Sequence, residues 1–368
     1  MTPPCPTARA QRGISLLELL VGIVVSMFTV LAITQVFLES ERQRRIPATG
    51  ADAQVNGILA LDAIQRDVRQ AGYGLGGGPW VGNCTTGVSS EAQAVGLSGL
   101  PLAPVTIAAG SGTAPSDSID ILSSGKVDAA LQIKLEEDRA NGNGAFIVPS
   151  TVGIEANDWL IIATSPAGTT CHAFQALSLT SAAPWSITPT GSVPAYAAGS
   201  LLTNLGAAPI RRRWSVSDTF HLRITNLAAS GTPTPADDAY PEVVLLRAFY
   251  AKDTDADGAV DTYDTTTPAD RAAWNQVIGV RLALVVRSPQ WNQEEVTPSA
   301  PVWNLGSAAT VAGSAACAGD ASSKCITLGL THTATTTGDE SKPDEWKHYR
   351  YRMYDSLIPL RNLLWNAG

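Results

Sequence analysis

Charge is scarce in this sequence. Lys, Arg, Asp and Glu make up 16% of its 368 residues, and the balance is acidic, −8 at pH 7. A nucleic-acid footprint needs a basic face, so the bulk charge argues against one. Histidine is scarcer still, four in all, and the five cysteines contain no CxxC pair. His172, His221, His332 and His348 are scattered along the chain, which leaves zinc without a ligand set. Outside the acidic stretch 253–264, GxSxG, HExxH and paired-carboxylate signatures are missing, so the sequence gives an enzyme no support. Gly72, Gly74 and Gly77 do fit GxGxxG. They follow a helical pattern instead of joining a strand to a helix, so they read as a helix stop and loop and not as a dinucleotide site. No internal repeat stands out.

What is present is apolar and turn-rich. The apolar share of 45% permits a real core, while 32 Gly, 23 Pro and abundant Ser, Thr and Ala point to strands, turns and long loops. From about residue 80 the best strands by β-branched content are DSIDILSS, DWLIIATS, TFHLRITNL, EVVLLRAFYA and VIGVRLALVVRS. Residues 182–205 and 311–341 read as long small-residue loops.

The N-terminal stretch RGISLLELLVGIVVSMFTVLAITQVFL is the opposite of the rest. Residues 14–38 carry one charge, Glu18. As a helix this run is about 37 Å long, enough to cross a bilayer with some tilt. It is too long for the core of a cleaved secretory signal, and Glu-Ser-Glu-Arg follows where small residues would be needed. Cys5 lies on the wrong side of it for a lipoprotein. Arg9 and Arg12 precede the run and Arg42, Arg44 and Arg45 follow it, so counting basic residues favours neither orientation. Pro47 is expected to kink or break the helix. The pattern then resumes, with Thr49 or Asp52 as a cap and Val55, Ile58, Leu59, Leu61, Ile64 and Val68 as a stripe to pack on a sheet.

Cys84, Cys171, Cys317 and Cys325 form an even set that suits two disulfides in an oxidising compartment. Of the three connectivities, Cys84–Cys171 with Cys317–Cys325 is preferred, because the latter two share one loop with little else to order it. By loop entropy these would stabilise by roughly 4–5 and 2–3 kcal/mol.

The strongest chemical motif is DTDADGAVDTYD, residues 253–264. Against a 12-residue calcium loop, Asp253, Asp255 and Asp257 take positions 1, 3 and 5, and Gly258 position 6. The Ala259 carbonyl takes position 7, Asp261 position 9 and Asp264 position 12. Asp in place of Glu at position 12 shortens the reach, and strand-like flanks make this a loop in a β-connection, not an EF-hand. The expected cofactor is calcium in a structural role. The plainer alternative is an acidic hairpin turn with no metal.

A short basic leader ending in Gly13, followed by an apolar helix with Glu at its fifth residue, resembles the class III signal of type IV prepilins and pseudopilins. That resemblance implies cleavage after Gly13 by a prepilin peptidase and N-methylation of Ile14. It also implies pairing of Glu18 with the N-terminal amine of a neighbouring subunit. A lone carboxylate in a span then becomes a registry device, costly unpaired and tolerable when paired. Ile14 stands where Phe or Met is commoner. The leader and the disulfides together place the N-terminus inside.

The blocks AIQRDVRQAGYGLGG, AFYAKDTDADGAVDTYD, WNQVIGVRLALVVRS and HYRYRMYDSLIPLRNLLW resemble PilW-type minor pilins. The resemblance implies an α+β fold: a long N-terminal helix, membrane-spanning then amphipathic, packed on a β-rich pilin-like head with long loops. Residues 1–13 would be the leader, 14–46 the assembly helix, 47–75 the amphipathic helix and 76–368 the head. The implied role is a non-enzymatic minor pilin that primes a type IV pilus and sits at its tip. Its partners would be prepilin peptidase, other minor pilins, the major pilin and the assembly machinery. It would sit in the inner membrane with the head in the periplasm, then in the fibre at the cell surface. A GspJ-type minor pseudopilin of type II secretion is the alternative. The Arg- and Tyr-rich C-terminus invites a DNA reading. Against this, cleavage would remove Arg9 and Arg12 and take the net charge from −8 to about −10, so no nucleic-acid partner is expected.

Overall fold

The computed structural model describes residues 16–75, 85–86, 103–111, 116–126, 132–164, 170–227, 236–307, 310–311, 313–330 and 345–364. It is α+β: one long helix and a strand-rich body. The chain divides into two units, residues 1–51 and 52–368.

The helix Leu16–Gln70 runs for 55 residues. It is unbroken at Pro47, contrary to the sequence expectation. One missing N–H and one crowded turn are a local penalty, and the residues on either side keep helical backbone. No second helix therefore starts at Thr49 or Asp52, and no orphan amides are left there to cap. In the first unit the segment Leu16–Phe37 is long and apolar enough to cross a membrane, and its side chains are exposed. The hydroxyls of Ser26, Thr29 and Thr34 each donate to a carbonyl on the preceding turn, Ile23 O, Val25 O and Val30 O, at 2.8 Å. Such back-bonding leaves no free hydroxyl in an apolar stretch.

In the second unit the helix buries Ala53, Gly57, Ala60, Ile64, Val68 and Ala71. This face differs from the expected stripe. Ile64 and Val68 lie in it and Leu61 is half-buried, but Val55, Ile58 and Leu59 are exposed. Small residues set the contact because the sheet comes very close. A Cβ on Gly57 would lie 2.1 Å from Cε2 of Tyr354. The helix stops at Gln70, and Gly72 and Gly74 follow at positive φ, 75° each. At Gly74 any side chain would also collide with Ser124, whose Cβ would be 2.3 Å away.

The helix covers a five-stranded sheet in the order Thr310–Val311, Thr262–Asp264, Val243–Lys252, Val277–Arg287, Tyr351–Pro359. The three long strands are antiparallel, and the two inner ones, Val243–Lys252 and Val277–Arg287, are nearly apolar throughout, as befits strands covered on both faces. One face meets the helix through Leu246, Tyr250, Leu282 and Leu284. The other face, through Phe249, packs on Trp303, Leu328 and Leu330. A second five-stranded sheet, Asp237–Pro241, His221–Asn226, Ile210–Val216, Ser118–Ser123 and Val105–Ala108, shares the helix-side core. Asp67 of the helix ties to it, accepting from Trp214 Nε1 and Arg212 Nη1 at 2.9 Å.

Ser118–Ser123 and Ile210–Val216 are direct neighbours, with Ile119 opposite Trp214. The chain between them leaves this sheet and builds another, with its own cores around Trp159, Ile161 and Leu205 and around the stacked Phe146 and Phe174. Two strands there, Ser186–Pro189 and Leu201–Gly206, fall inside the expected 182–205 loop. Likewise Ala315–Cys317 and Asp320–Thr327 form a hairpin inside the expected 311–341 loop. Leu201–Gly206 is buried on both faces, so it lacks the alternation that marks a half-exposed strand. The Ser/Ala hairpin carries little β-branched signal and is held instead by its crosslink.

Candidate functional site

Two sequence features carry candidate chemistry. In the helix, Glu18 lies in the first turn and is exposed. A carboxylate there faces the positive end of the helix dipole. Gly13 and Ile14, the expected processing residues, lie outside the described residues.

The acidic stretch is the turn between Val243–Lys252 and Thr262–Asp264, which pair with Lys252 opposite Thr262. Its carboxylates organise the loop before any ligand is considered. Asp253 is buried and accepts from Ala256 N at 2.7 Å and Gly258 N at 2.8 Å. Those bonds hold Ala256 at φ 65° and Gly258 at φ 87°. Asp261 reaches back across the turn to Thr254, accepting from its amide at 2.7 Å and its hydroxyl at 2.8 Å. Asp255 accepts from Asp257 N and Asp257 from Ala259 N, two successive Asx turns.

The result gathers Asp253, Asp255 and Asp261, which each offer an oxygen within 4.8 Å of the others. Asp257, Ala259 and Asp264 are not part of that trio. Asp264 instead pairs with Lys252, at 2.8 and 2.7 Å to its two oxygens, and accepts from Thr266 N at 2.8 Å. The hairpin register makes Lys252 a near neighbour of Asp264, a signal available from the sequence and outweighed there by the twelve-residue template. The trio is electrostatically strained. A hydrogen bond from the Asp257 amide favours ionised Asp255, yet desolvation and the charges of Asp257, Asp261 and Asp253 push its carboxyl above the ordinary range. Asp261 is pulled the other way, first by the Thr254 amide and then by its hydroxyl. An all-oxygen donor set under mutual repulsion fits a hard cation.

Cys317 and Cys325 are bonded across the 315–327 hairpin, with Cα atoms 5.0 Å apart. Cys171 is also disulfide-bonded, and Cys84, its expected partner, lies outside the described residues. His221 bonds Thr219, and His348 bonds Asn292 O at 2.8 Å and stacks on Trp291. A shallow groove of about 400 Å³ is lined by Ala53, Val55, Asn56, Pro241, Glu242 and Pro289. Its one carboxylate, Glu242, is paired with Arg287 at 2.7 Å.

Residues 213–362 match the family model of type IV pilus-assembly protein W. Searches of curated proteins and of solved structures return no match. The matched segment holds the acidic turn and the three long strands of the sheet under the helix, the C-terminal Arg/Tyr strand among them, while the inserted sheet lies ahead of it. Three of the four blocks that resemble PilW-type proteins begin in that segment, and a membrane-length apolar helix precedes it, as fits a membrane-anchored assembly component. Over residues 213–362 the chain is PilW-like, and this supports a type IV pilus protein.

Proposed function

We propose that this chain is a minor pilin: a non-enzymatic subunit that primes assembly of a type IV pilus and is incorporated at its tip. The observation that carries the reading is the pairing of a PilW-matched head with an exposed apolar helix that has one carboxylate, Glu18, in its first turn. Prepilin peptidase cuts after Gly13 and methylates Ile14. The chain waits in the inner membrane with its head in the periplasm, alongside other minor pilins and the major pilin. Removing one partner of a buried ion pair costs about 3–5 kcal/mol, so a Glu18 that meets a neighbour's amine only in the correct stagger selects that stagger. A head of this size, with an inserted sheet, suits a terminal place better than every turn of a thin fibre.

The acidic turn binds calcium in this reading, through Asp253, Asp255 and Asp261, with main-chain carbonyls and water completing the six to eight oxygens calcium takes. The ion relieves the repulsion and stiffens the turn. Mass spectrometry of sheared, washed pili tests the assignment. The reading expects this chain there in low abundance, beginning at N-methylated Ile14. A chain confined to the membrane, or one that retains Met1, sinks it.

A further inference from the structure

The strand Tyr351–Pro359 pairs along its whole length with Val277–Arg287 and has no strand on its other side among the described residues. Two flanking bonds fix which main-chain groups face which way. Ser288 N donates to Arg350 O at 2.8 Å, and Leu360 N to Ile278 O at 3.2 Å. By the antiparallel alternation, residues 352, 354, 356 and 358 turn their N–H and C=O inward, and Met353, Asp355 and Leu357 turn theirs outward. Those outward groups have no hydrogen-bond partner among the described residues. Asp355 makes the opening plain. Its side chain lies against Arg281 and is only 25% exposed, yet the residue as a whole is exposed, so the exposure is main chain.

Natural sheets blunt such edges by shortening them. The other described edge strands do so: two residues at Thr310–Val311, Ile133–Lys134 and Phe146–Ile147, three at Val302–Asn304 and Ala315–Cys317, four at Val105–Ala108, five at Asp237–Pro241. The edge at Tyr351–Pro359 has nine.

Its surroundings specify a ligand. On the helix side, Tyr354 Oη donates to Gln54 O at 3.3 Å and Gln65 Nε2 donates to Ser356 Oγ at 2.8 Å. Gln54, Ile58, Leu61 and Gln65 are spaced four, three and four, so all four share the helix flank above this strand. Ile58 on that flank is 57% exposed, and Leu357, on the opposite face of the sheet, is 43% exposed. Arg350 and Arg352, at the start of the strand, are exposed and have no carboxylate partner among the described residues.

We propose that this edge is a strand-addition site for an extended segment of another protein. The segment hydrogen-bonds to the outward groups of Met353, Asp355 and Leu357, is apolar where it runs under Ile58, and carries a carboxylate where it passes Arg350 and Arg352. A second copy of this chain fits poorly. Antiparallel self-pairing about Asp355 would bring Arg350 of one copy beside Arg361 of the other at both ends, and like charges so placed disfavour pairing. The inference goes beyond the assembly role and does not depend on it.

The test uses the full chain in cells, with a benzophenone side chain in place of Ile58 and sequencing of the captured peptide. It is repeated in Leu357→Pro and Leu357→Ala backgrounds. Leu357→Pro removes an outward N–H that has no partner among the described residues, and Leu357→Ala keeps it. The proposal expects capture of one segment of another protein, alternately apolar and bearing a carboxylate. Yield should fall at least tenfold with Leu357→Pro and stay near parental with Leu357→Ala. Capture of this chain's own peptides, from the same or a second copy, overturns it. So does capture no greater than from the same probe at exposed Val152, or capture that Leu357→Pro leaves unchanged. Should Leu357→Pro not accumulate, amide exchange in the parental chain decides. With the captured segment bound, exchange at Met353, Asp355 and Leu357 must slow at least tenfold, and unchanged exchange overturns the proposal. Capture is scored whether or not pili form, so it and the assembly role stand or fall separately.

Discussion

At the scale of single residues, Glu18 and Gly57 show how one side chain, or its absence, decides an outcome. Glu18→Ala leaves the apolar segment long enough to insert and leaves Gly13 in place. The expected result is normal processing, seen as a mature-sized band, with loss of the chain from sheared pili. Gly57 has no room for a side chain, because a Cβ would sit 2.1 Å from the Tyr354 ring. Gly57→Val should therefore destabilise the head by about 1–3 kcal/mol through overpacking, read as a lowered thermal midpoint. Glu18 was legible in the sequence because a charge in an apolar run is conspicuous. Gly57 was not, since a periodicity search weights large apolar residues and passes over the Ala and Gly positions where helix and sheet come closest.

At the scale of elements, the two turns behave differently. The 253–261 turn is legible as an oxygen-rich loop, but the hairpin register takes Asp264 to Lys252 and leaves a trio where the template promised more ligands. Isothermal titration of the full chain in detergent is expected to show saturable heat with calcium and its loss in Asp255→Asn. No heat up to millimolar calcium leaves only an acidic turn. In the 315–327 hairpin, Asp320 accepts from Ser322 Oγ at 2.5 Å and Ser323 Oγ at 2.6 Å, which pull its carboxyl from the ordinary 3.8 down to about 2. A depressed folded value contributes stability above the unfolded value and loses it as pH falls through the folded one. Amide protection in this hairpin, relative to the intrinsic exchange rate at each pH, should therefore fall between about pH 4 and pH 2, and Asp320→Asn should flatten that dependence. Cys317→Ser is expected to cost about 2–3 kcal/mol by loop entropy, measured by denaturant unfolding.

At the scale of the whole molecule, the five strongest strands and the crosslink at 317–325 were readable because β-branched runs and paired cysteines are local signals. Most of the inserted sheet beyond Trp159–Ala163 was not. Its strands Ser186–Pro189 and Leu201–Gly206 pair with partners chosen by tertiary contact; the first alternates but over only four residues, and the second is buried throughout and does not alternate. The continuity of the helix through Pro47 was missed because a proline's local penalty says nothing of the residues around it. The insertion between neighbouring strands enlarges the head, and the PilW-matched segment lies after it.

The measurement that bears most directly on the minor-pilin assignment is a clean deletion complemented by the parental chain or by Glu18→Ala, scored in parallel for sheared surface pili and for secreted extracellular enzymes. The account predicts that pili disappear on deletion, return with the parental chain and not with Glu18→Ala, while secretion is unchanged. Intact pili with secretion lost would contradict it and move the protein to a type II secretion pseudopilus.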